Sequence, residues 1–147
     1  MKASAVSAVS LALVSILLCP MAMAAPPMPD DVKMVEPDPS LPKEIAGFWG
    51  KWEGRGQMMT VFLIIEKIDG EKASVYRWRS GFPGFVPEGW DRLEANVAKE
   101  YGKYKLWWRV SEAGNSGINE LTLKGKYVEY YYRTVYVTNS VQLTRVP

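Results

Sequence analysis

The chain has 147 residues, about the length of one domain, with 48% hydrophobic, 12% aromatic and 23% charged residues. This balance excludes disorder throughout the chain, because it supplies enough apolar side chains for a core. The formal net charge of +2 gives no reason to expect nucleic acid as a partner. There is no histidine, and the single cysteine is Cys19, so imidazole chemistry is excluded.

The first 24 residues are predicted to be a cleaved signal peptide. Lys2 gives a short basic start, the stretch 12–18 is apolar and uncharged, and Ala22-Met23-Ala24 is the small-x-small pattern that signal peptidase requires. Serines and Pro20 interrupt the apolar stretch, which disfavours a lasting transmembrane anchor. The residue before Cys19 is not small, which disfavours a lipid anchor there. We therefore expect cleavage near Ala24 and a bacterial periplasmic or secreted protein without disulfides.

Residues 25–45 are predicted to form a proline-rich linker or arm. Six prolines lie from Pro26 to Pro42, interspersed with acidic residues and without a glycine, which favours an extended and stiff chain. We interpret this segment as a spacer between the signal peptide and the fold; the alternative is an arm that binds a partner protein. All twelve glycines follow residue 46, so the folded domain is predicted to span 46–147.

After residue 46 the chain is predicted to form eight short strands separated by turns, without a long helix. The clearest alternation directs Tyr104 and Trp108 inward and the charged Lys105 outward. In the third strand, Tyr76 and Trp78 share a face. The predicted strands span 47–53, 58–68, 72–79, 92–98, 103–111, 118–124, 127–137 and 141–146, with turns that include 69–70, 124–126 and 138–140.

Eight consecutive strands with mostly short connections predict an all-β fold, an antiparallel up-and-down meander that closes into a barrel. Closure removes sheet edges that would otherwise aggregate. The strands are mostly too short, and the outward Lys103, Lys105 and Arg109 too charged, for a barrel that spans an outer membrane. We therefore expect a barrel that is not an integral membrane protein and whose interior holds side chains or one small ligand.

Two features at the ends of the domain suggest how the barrel closes. Gly47-Phe48-Trp49 is a Gly-x-Trp on the first predicted strand, and the alternation of the last strand directs Arg145 inward, where an indole face could stack on its guanidinium. This arrangement resembles the lipocalin and avidin-like (calycin) superfamily, in which the Gly-x-Trp closes the barrel floor beneath an arginine from the last strand. The resemblance implies structural roles for Trp49 and Arg145. It also implies a barrel open at its other end, with a cavity for a small apolar or amphipathic molecule.

The segment 80–90 is too long for a tight turn and too apolar for an ordinary solvated loop. Its aromatic residues are interpreted as a cap over the barrel mouth; the alternative is a lid over a ligand or a docking surface for a partner. The predicted ligand-binding residues of the chain are Tyr76, Trp78, Phe82, Phe85, Trp90, Tyr104 and Trp108.

The sequence contains no recognisable catalytic pattern. Ser80-Gly81 and Ser116-Gly117 lack the G-x-S-x-G context, and no spacing of metal ligands is present, so we expect no catalytic residue, metal or cofactor. The favoured function is therefore an exported barrel that binds a small hydrophobic or amphipathic ligand. The alternative is a protein-interaction or envelope-accessory module that uses Trp107, the tyrosines of the seventh strand and the proline-rich arm. A hydrolase would need two carboxylates, or Ser and Lys, close together in a cleft.

Overall fold

The computed structural model describes residues 26–147 except 58, 81–87 and 113–114, so the predicted signal peptide lies outside the described residues. Eight antiparallel strands follow one another around a closed barrel, and the last strand pairs back onto the first. This confirms the predicted all-β, eight-stranded up-and-down barrel. The elements are a short helix α1 (Lys43–Ala46) and strands β1 (Gly50–Arg55), β2 (Thr60–Ile68), β3 (Lys72–Arg79), β4 (Gly89–Glu100), β5 (Lys103–Glu112), β6 (Asn115–Lys124), β7 (Tyr127–Thr134) and β8 (Thr138–Val146).

The turn between β7 and β8 lies three residues earlier than the predicted 138–140, which instead belong to β8. The cause is local, because the Thr134 hydroxyl accepts hydrogen bonds from the backbone N–H groups of Tyr136 and Val137. The backbone N–H of Thr134 also donates to the carbonyl of Val137 at 2.8 Å. The chain therefore reverses at 135–137, and the side chains of Val135 and Tyr136 at the tip are each 79% exposed.

The end of the barrel at which β1 begins is closed by α1 and the residues after it, and we call it the closed end. Ile45 and Phe48 are buried there beneath the strands. The Trp52 indole is also buried, and its Nε1 donates to the carbonyl of Phe48 at 2.8 Å. We call the opposite end, where β1 ends and β8 begins, the rim.

Arg145 holds the last strand to the closed end. Its guanidinium carbon lies 4.3 Å from the centre of the Trp52 ring, and Nη2 donates to the carbonyl of Gly47 at 2.9 Å. The guanidinium also donates to the carbonyl of Trp49, which contributes its backbone and not its ring. The stacked indole is thus Trp52, because β1 begins only at Gly50 and Trp49 precedes the strand. Gly50 has φ +121°, and a Cβ there would lie 2.3 Å from Arg145 Nη1, so this contact requires glycine.

Apolar side chains fill the barrel from the closed end to its middle. They come from alternate positions of every strand, as expected for a sheet with one face in the core. This packing stabilises the barrel without any covalent cross-link among the described residues. The fully buried members include Val61, Leu63, Ile65, Val75, Ala95, Leu106, Leu121, Val128 and Leu143.

The described part of the predicted proline-rich arm lies against the outside of β2, β3 and β4. Near the rim, Trp90 Nε1 donates to the carbonyl of Pro27 at 2.9 Å. Farther along, the Tyr76 hydroxyl donates to Asp31 Oδ2 at 2.7 Å. Toward the closed end, the backbone N–H of Val35 donates to the carbonyl of Glu66 at 2.8 Å. The arm therefore covers an outer face that would otherwise meet water.

Glu66 fixes the middle of the arm through a buried carboxylate. It lies at a register shift in β2 between Ile65 and Lys67, and its side chain accepts hydrogen bonds from Lys33 N and Ser74 Oγ, both at 2.8 Å, and from Arg92 Nη2 at 3.2 Å. Burial alone would raise the pKa of this carboxyl. The three donors outweigh burial and hold the pKa of Glu66 below its ordinary value.

We expect the arm to detach in acid. Because the pKa of Glu66 is lower in the folded protein than its ordinary value of 4.5, the carboxylate stabilises the fold fully above that value. This contribution is lost as the pH falls through the lower pKa of the folded state. Hydrogen exchange at the Lys33 amide, corrected for the intrinsic rate, should therefore accelerate in acid before exchange at amides in the barrel core.

The Glu66→Gln variant should lose about 1–3 kcal/mol of unfolding free energy at neutral pH. The reason is that the hydrogen bonds accepted by the charged carboxylate become weaker when a neutral amide replaces it. It should also lose the acid sensitivity at Lys33. Glu94→Gln is the matched control, because Glu94 pairs with Lys72 on the solvated outer face and its loss should cost less than about 1 kcal/mol. A Glu66→Gln protein with unchanged acid sensitivity would show that another group holds the arm.

Candidate functional site

A group of polar side chains lies inside the barrel, between the apolar core and the rim. It occupies inward positions that continue the alternation of the core, so strand geometry alone directs these polar groups into the interior. We call this group the interior polar cluster. Its members are Arg77, Arg79, Asp91, Trp108, Asn119 and Tyr130.

Arg77 and Asp91 form an ion pair across β3 and β4. Arg77 follows Val75 on the inward face of β3 and lies directly opposite Asp91 in the register. Its Nη2 is 2.8 Å from Asp91 Oδ2, and Arg79 Nη2 is 3.5 Å from the same oxygen. Two guanidinium groups therefore share one carboxylate.

Burial differs sharply between the two partners of this ion pair. Only 3% of the Arg77 side chain is exposed, whereas 44% of Asp91 is exposed although it faces inward. Solvent therefore enters the barrel at the rim as far as Asp91. Burial works to lower the pKa of Arg77, but its contacts with Tyr130 and Asp91 outweigh burial and raise that pKa. Arg77 thus keeps its charge inside the barrel.

Tyr130 connects Arg77 to Asn119. The Tyr130 hydroxyl accepts a hydrogen bond from Arg77 and donates to Asn119 Oδ1. Because its proton goes to Oδ1, the amide of Asn119 is oriented with Nδ2 free to donate elsewhere. The Trp108 ring stacks on Tyr130, with centroids 6.2 Å apart and an interplanar angle of 29°.

Two buried donors in the cluster have no acceptor among the described residues: Trp108 Nε1 and Asn119 Nδ2. Both side chains are buried, and the two residues are direct partners across β5 and β6. A buried donor without a partner costs about 1–3 kcal/mol. Both atoms can therefore bind an acceptor from an ordered water or from a ligand.

A groove lies near the rim on β5, β6 and β7, and its lining includes neither Trp108 nor Asn119. The next inward pair toward the rim is Val110 and Gly117, and both line the groove, which has a volume of about 610 Å³. Its lining is mainly apolar, with Thr134 and Val135 on the β7 side and a guanidinium on each outer flank from Arg109 and Arg133. Most of its lining residues, among them Arg109, Ile118 and Arg133, lie on the outward parity of these strands, so the groove opens on the outer wall of the barrel near the rim.

The sequence-predicted binding residues are divided among several places. Trp108 belongs to the interior polar cluster, and Tyr104 faces inward near the closed end, with Lys99 Nζ 5.1 Å from its ring centre. Tyr76 and Trp78 share a face, as predicted, but it is the outer one that the arm covers, and Trp90 bonds the arm. Phe82 and Phe85 lie outside the described residues.

The other members of the cluster were not among the predicted site residues. The sequence did contain an indication of where Arg77 lies, because it follows Val75 by two positions and so shares a face of β3 with that apolar residue. The aromatic Tyr76 and Trp78 occupy the opposite parity, so alternation alone left both faces possible. Asn119 had a clearer signal, since it lies in the predicted strand 118–124 on the same parity as the apolar Leu121 and Leu123.

Exposed aromatic residues are few in the part of the chain that the structure describes. Those that are largely exposed are Tyr101 and Tyr136, at opposite ends of the barrel, whereas Trp107 is half-buried. They form no contiguous aromatic patch of the kind that the alternative interaction module would use.

Among the residues that the structure describes, no group of three or more acidic or cysteine side chains could hold a metal ion. Neither does that part of the chain contain a helix long and apolar enough to cross a bilayer.

No family model matches the chain, and no curated protein matches it. Among solved structures, it is similar to secretory abundant heat soluble protein 4 from Ramazzottius varieornatus, with 14% sequence identity and a TM-score of 0.39. The alignment covers 68% of this chain and 95% of that chain. A likeness at this level carries no argument about function, so the interior polar cluster is interpreted from its own geometry.

Proposed function

We propose that this chain is an exported, lipocalin-like barrel that binds a small amphipathic molecule in its interior at the rim. The observation that carries this proposal is the pair of buried donors, Trp108 Nε1 and Asn119 Nδ2, that have no acceptor among the described residues. Native proteins rarely leave such groups unsatisfied, and binding sites are where exceptions concentrate.

The shape of the barrel supports a ligand that enters from the rim. The closed end is packed with apolar side chains around Trp52, so a ligand cannot come from that side. At the rim, solvent reaches the inward-facing Asp91. The polar end of a ligand would lie at the donors, and its apolar part would extend toward the rim past the inward Val110.

Ligand binding can be measured by displacement of a neutral, polarity-sensitive naphthylamine dye. We expect ten-carbon amphiphiles with an oxygen-bearing end to displace the dye from the full chain. Trp108→Phe should weaken the best of these ligands about tenfold, because it removes one hydrogen bond to the ligand. Trp107→Phe is the matched control, since Trp107 is the next residue of β5 and faces outward.

The proposal fails if none of these amphiphiles displaces the dye, or if the two tryptophan variants weaken binding equally. Native mass spectrometry of the protein purified from its own host provides an independent test, because a retained small molecule would appear as added mass. The same measurement tests export, since a cleaved signal peptide would give a chain that begins at Ala25.

A further inference from the structure

We propose that the rim of the barrel docks on an anionic lipid bilayer, with the turn between β7 and β8 inserted at the bilayer surface and Arg109 and Arg133 at the lipid phosphates. This inference assigns the chain a partner surface in addition to a ligand. It does not rest on the proposed function, because it uses side chains on the outside of the barrel and none from the interior polar cluster.

The turn between β7 and β8 carries three apolar side chains that it does not require for its own structure. The side chains of Val135 and Tyr136 are each 79% exposed, and that of Val137 is 40% exposed. The turn is held by the Thr134 hydroxyl, which accepts backbone N–H groups, so residues typical of solvated turns could replace all three. Among the described residues of the barrel, the other exposed large hydrophobic side chain is Tyr101, at the opposite end. The rim therefore presents an apolar projection to water.

Two guanidinium groups flank the groove on the outer wall beside this turn. Arg109, Ile118 and Arg133 lie side by side across β5, β6 and β7. Both arginines are exposed, and neither has a hydrogen-bond or ion-pair partner among the residues that the structure describes. The neighbouring outward carboxylate on β6, Glu120, lies instead 3.3 Å from Lys105 Nζ. The groove therefore has two positive charges that no described carboxylate pairs with.

The apolar turn and the two arginines form one continuous surface, because Val135 also lines the groove. Arg133 precedes Val135 by two residues, which is about 7 Å along an extended strand. Apolar side chains of interfacial segments enter the boundary between headgroups and acyl chains by about 5–10 Å. With the turn at that depth, the guanidinium of Arg133 would lie at the lipid phosphates. Tyr136 suits the same boundary, because its ring is apolar and its hydroxyl can meet water.

The size and shape of this surface favour a bilayer over a partner protein. A stable protein complex buries about 800 Å² on each partner, from about 20–30 residues. The surface here comes from one projecting turn and two flanking side chains, Arg109 and Arg133. A bilayer accommodates a projecting turn without a complementary shape, and its anionic phosphates complement the two charges. Each basic residue near such a surface increases affinity about fivefold.

The experiment measures sedimentation of the chain with vesicles. The protein is purified from its own host, so that any processing of residues 1–24 is the same in every variant. We expect binding to vesicles of phosphatidylglycerol and phosphatidylethanolamine, and much weaker binding to phosphatidylcholine alone. The double variant Arg109→Gln with Arg133→Gln should weaken binding to the anionic vesicles about 25-fold. Lys103→Gln with Lys126→Gln is the matched control, because it removes the same charge from exposed side chains at the closed end.

The apolar turn is tested separately. Tyr136→Ser should weaken binding to the anionic vesicles about fivefold, since it removes apolar area from the bilayer surface. Tyr101→Ser is its matched control, because Tyr101 is 96% exposed at the other end of the barrel. Inorganic phosphate should release no more protein from the vesicles than sodium chloride at the same ionic strength. Circular dichroism checks that each variant folds, and where one does not, release of the unchanged chain by 1 M sodium chloride takes its place.

Several outcomes would overturn the inference. These are no binding to anionic vesicles, equal binding to neutral vesicles, and equal weakening by the rim variants and their closed-end controls. Specific release by inorganic phosphate would show a site for a free anion instead of a bilayer. A dimer in solution that Tyr136→Ser dissociates would show that the turn contacts a second copy of the chain. Trp108→Phe should leave vesicle binding unchanged, so this inference and the ligand-binding function can fail independently.

Discussion

A Trp52→Ala variant is expected to lose about 3–5 kcal/mol of unfolding free energy, which is a large part of the stability of a domain of this size. The Trp52 ring is buried at the closed end, donates to the carbonyl of Phe48, and carries the guanidinium of Arg145 on its face. Its removal leaves a cavity, an unpaired carbonyl and an arginine without its stacking partner. Chemical denaturation at neutral pH measures the loss.

Trp107→Ala provides the control for this experiment. Trp107 is also a strand tryptophan, but it faces outward on β5 and is half-buried. We expect it to cost about 1 kcal/mol, since its removal creates no enclosed cavity. Equal losses in the two variants would contradict the assignment of Trp52 as the residue that closes the barrel.

The alternation of β5 shows why the strand count and the barrel could be predicted from the sequence. Tyr104 and Trp108 face inward and Lys105 faces outward, so the two faces of the strand differ clearly in polarity. A barrel wall between core and solvent produces this pattern in every strand that has water on one side. Local sequence is then sufficient to assign the two faces of a strand, because the polarity of each residue indicates whether it faces the core or the solvent.

The same reasoning could not assign the faces of β3, because both of its faces are buried. Val75 and Arg77 face the interior, whereas Tyr76 and Trp78 face the arm. The contact that covers the outer face joins Tyr76 to Asp31, 45 residues earlier in the chain. No local pattern reveals such a contact, so the aromatic pair was interpreted as ligand-binding and the buried arginine was missed.

Apart from Trp108, the interior polar cluster was missed for a second reason, which is that its chemistry arises from register. Asn119 and Trp108 carry no motif, and each is an ordinary strand residue on its own. Pairing across β5 and β6 brings their donors together, and pairing across β6 and β7 brings Tyr130 near the Asn119 carbonyl oxygen. The site therefore became visible only once the strand partners were known.

The second large effect is expected at the Arg77–Asp91 ion pair. Asp91→Ala should cost about 2–3 kcal/mol, because it leaves a buried guanidinium without its carboxylate. This value is below that of a fully buried pair, since Asp91 is partly exposed and solvent screens it. Arg77→Met should cost less, because the remaining Asp91 is solvated and still close to Arg79.

Burial, and not distance, is the cause of this expected loss, and a second ion pair makes the distinction testable. Lys72 and Glu94 are also 2.8 Å apart, but their side chains are 47% and 66% exposed on the outer face. Glu94→Ala should therefore cost less than about 1 kcal/mol. The double variant Arg77→Met with Asp91→Leu should recover part of the stability that Asp91→Ala loses, since it removes the buried charge of Arg77 together with the carboxylate, although Arg79 also loses that carboxylate. If Asp91→Ala and Glu94→Ala cost the same, the ion pair with Asp91 is not what holds Arg77 as a buried charge.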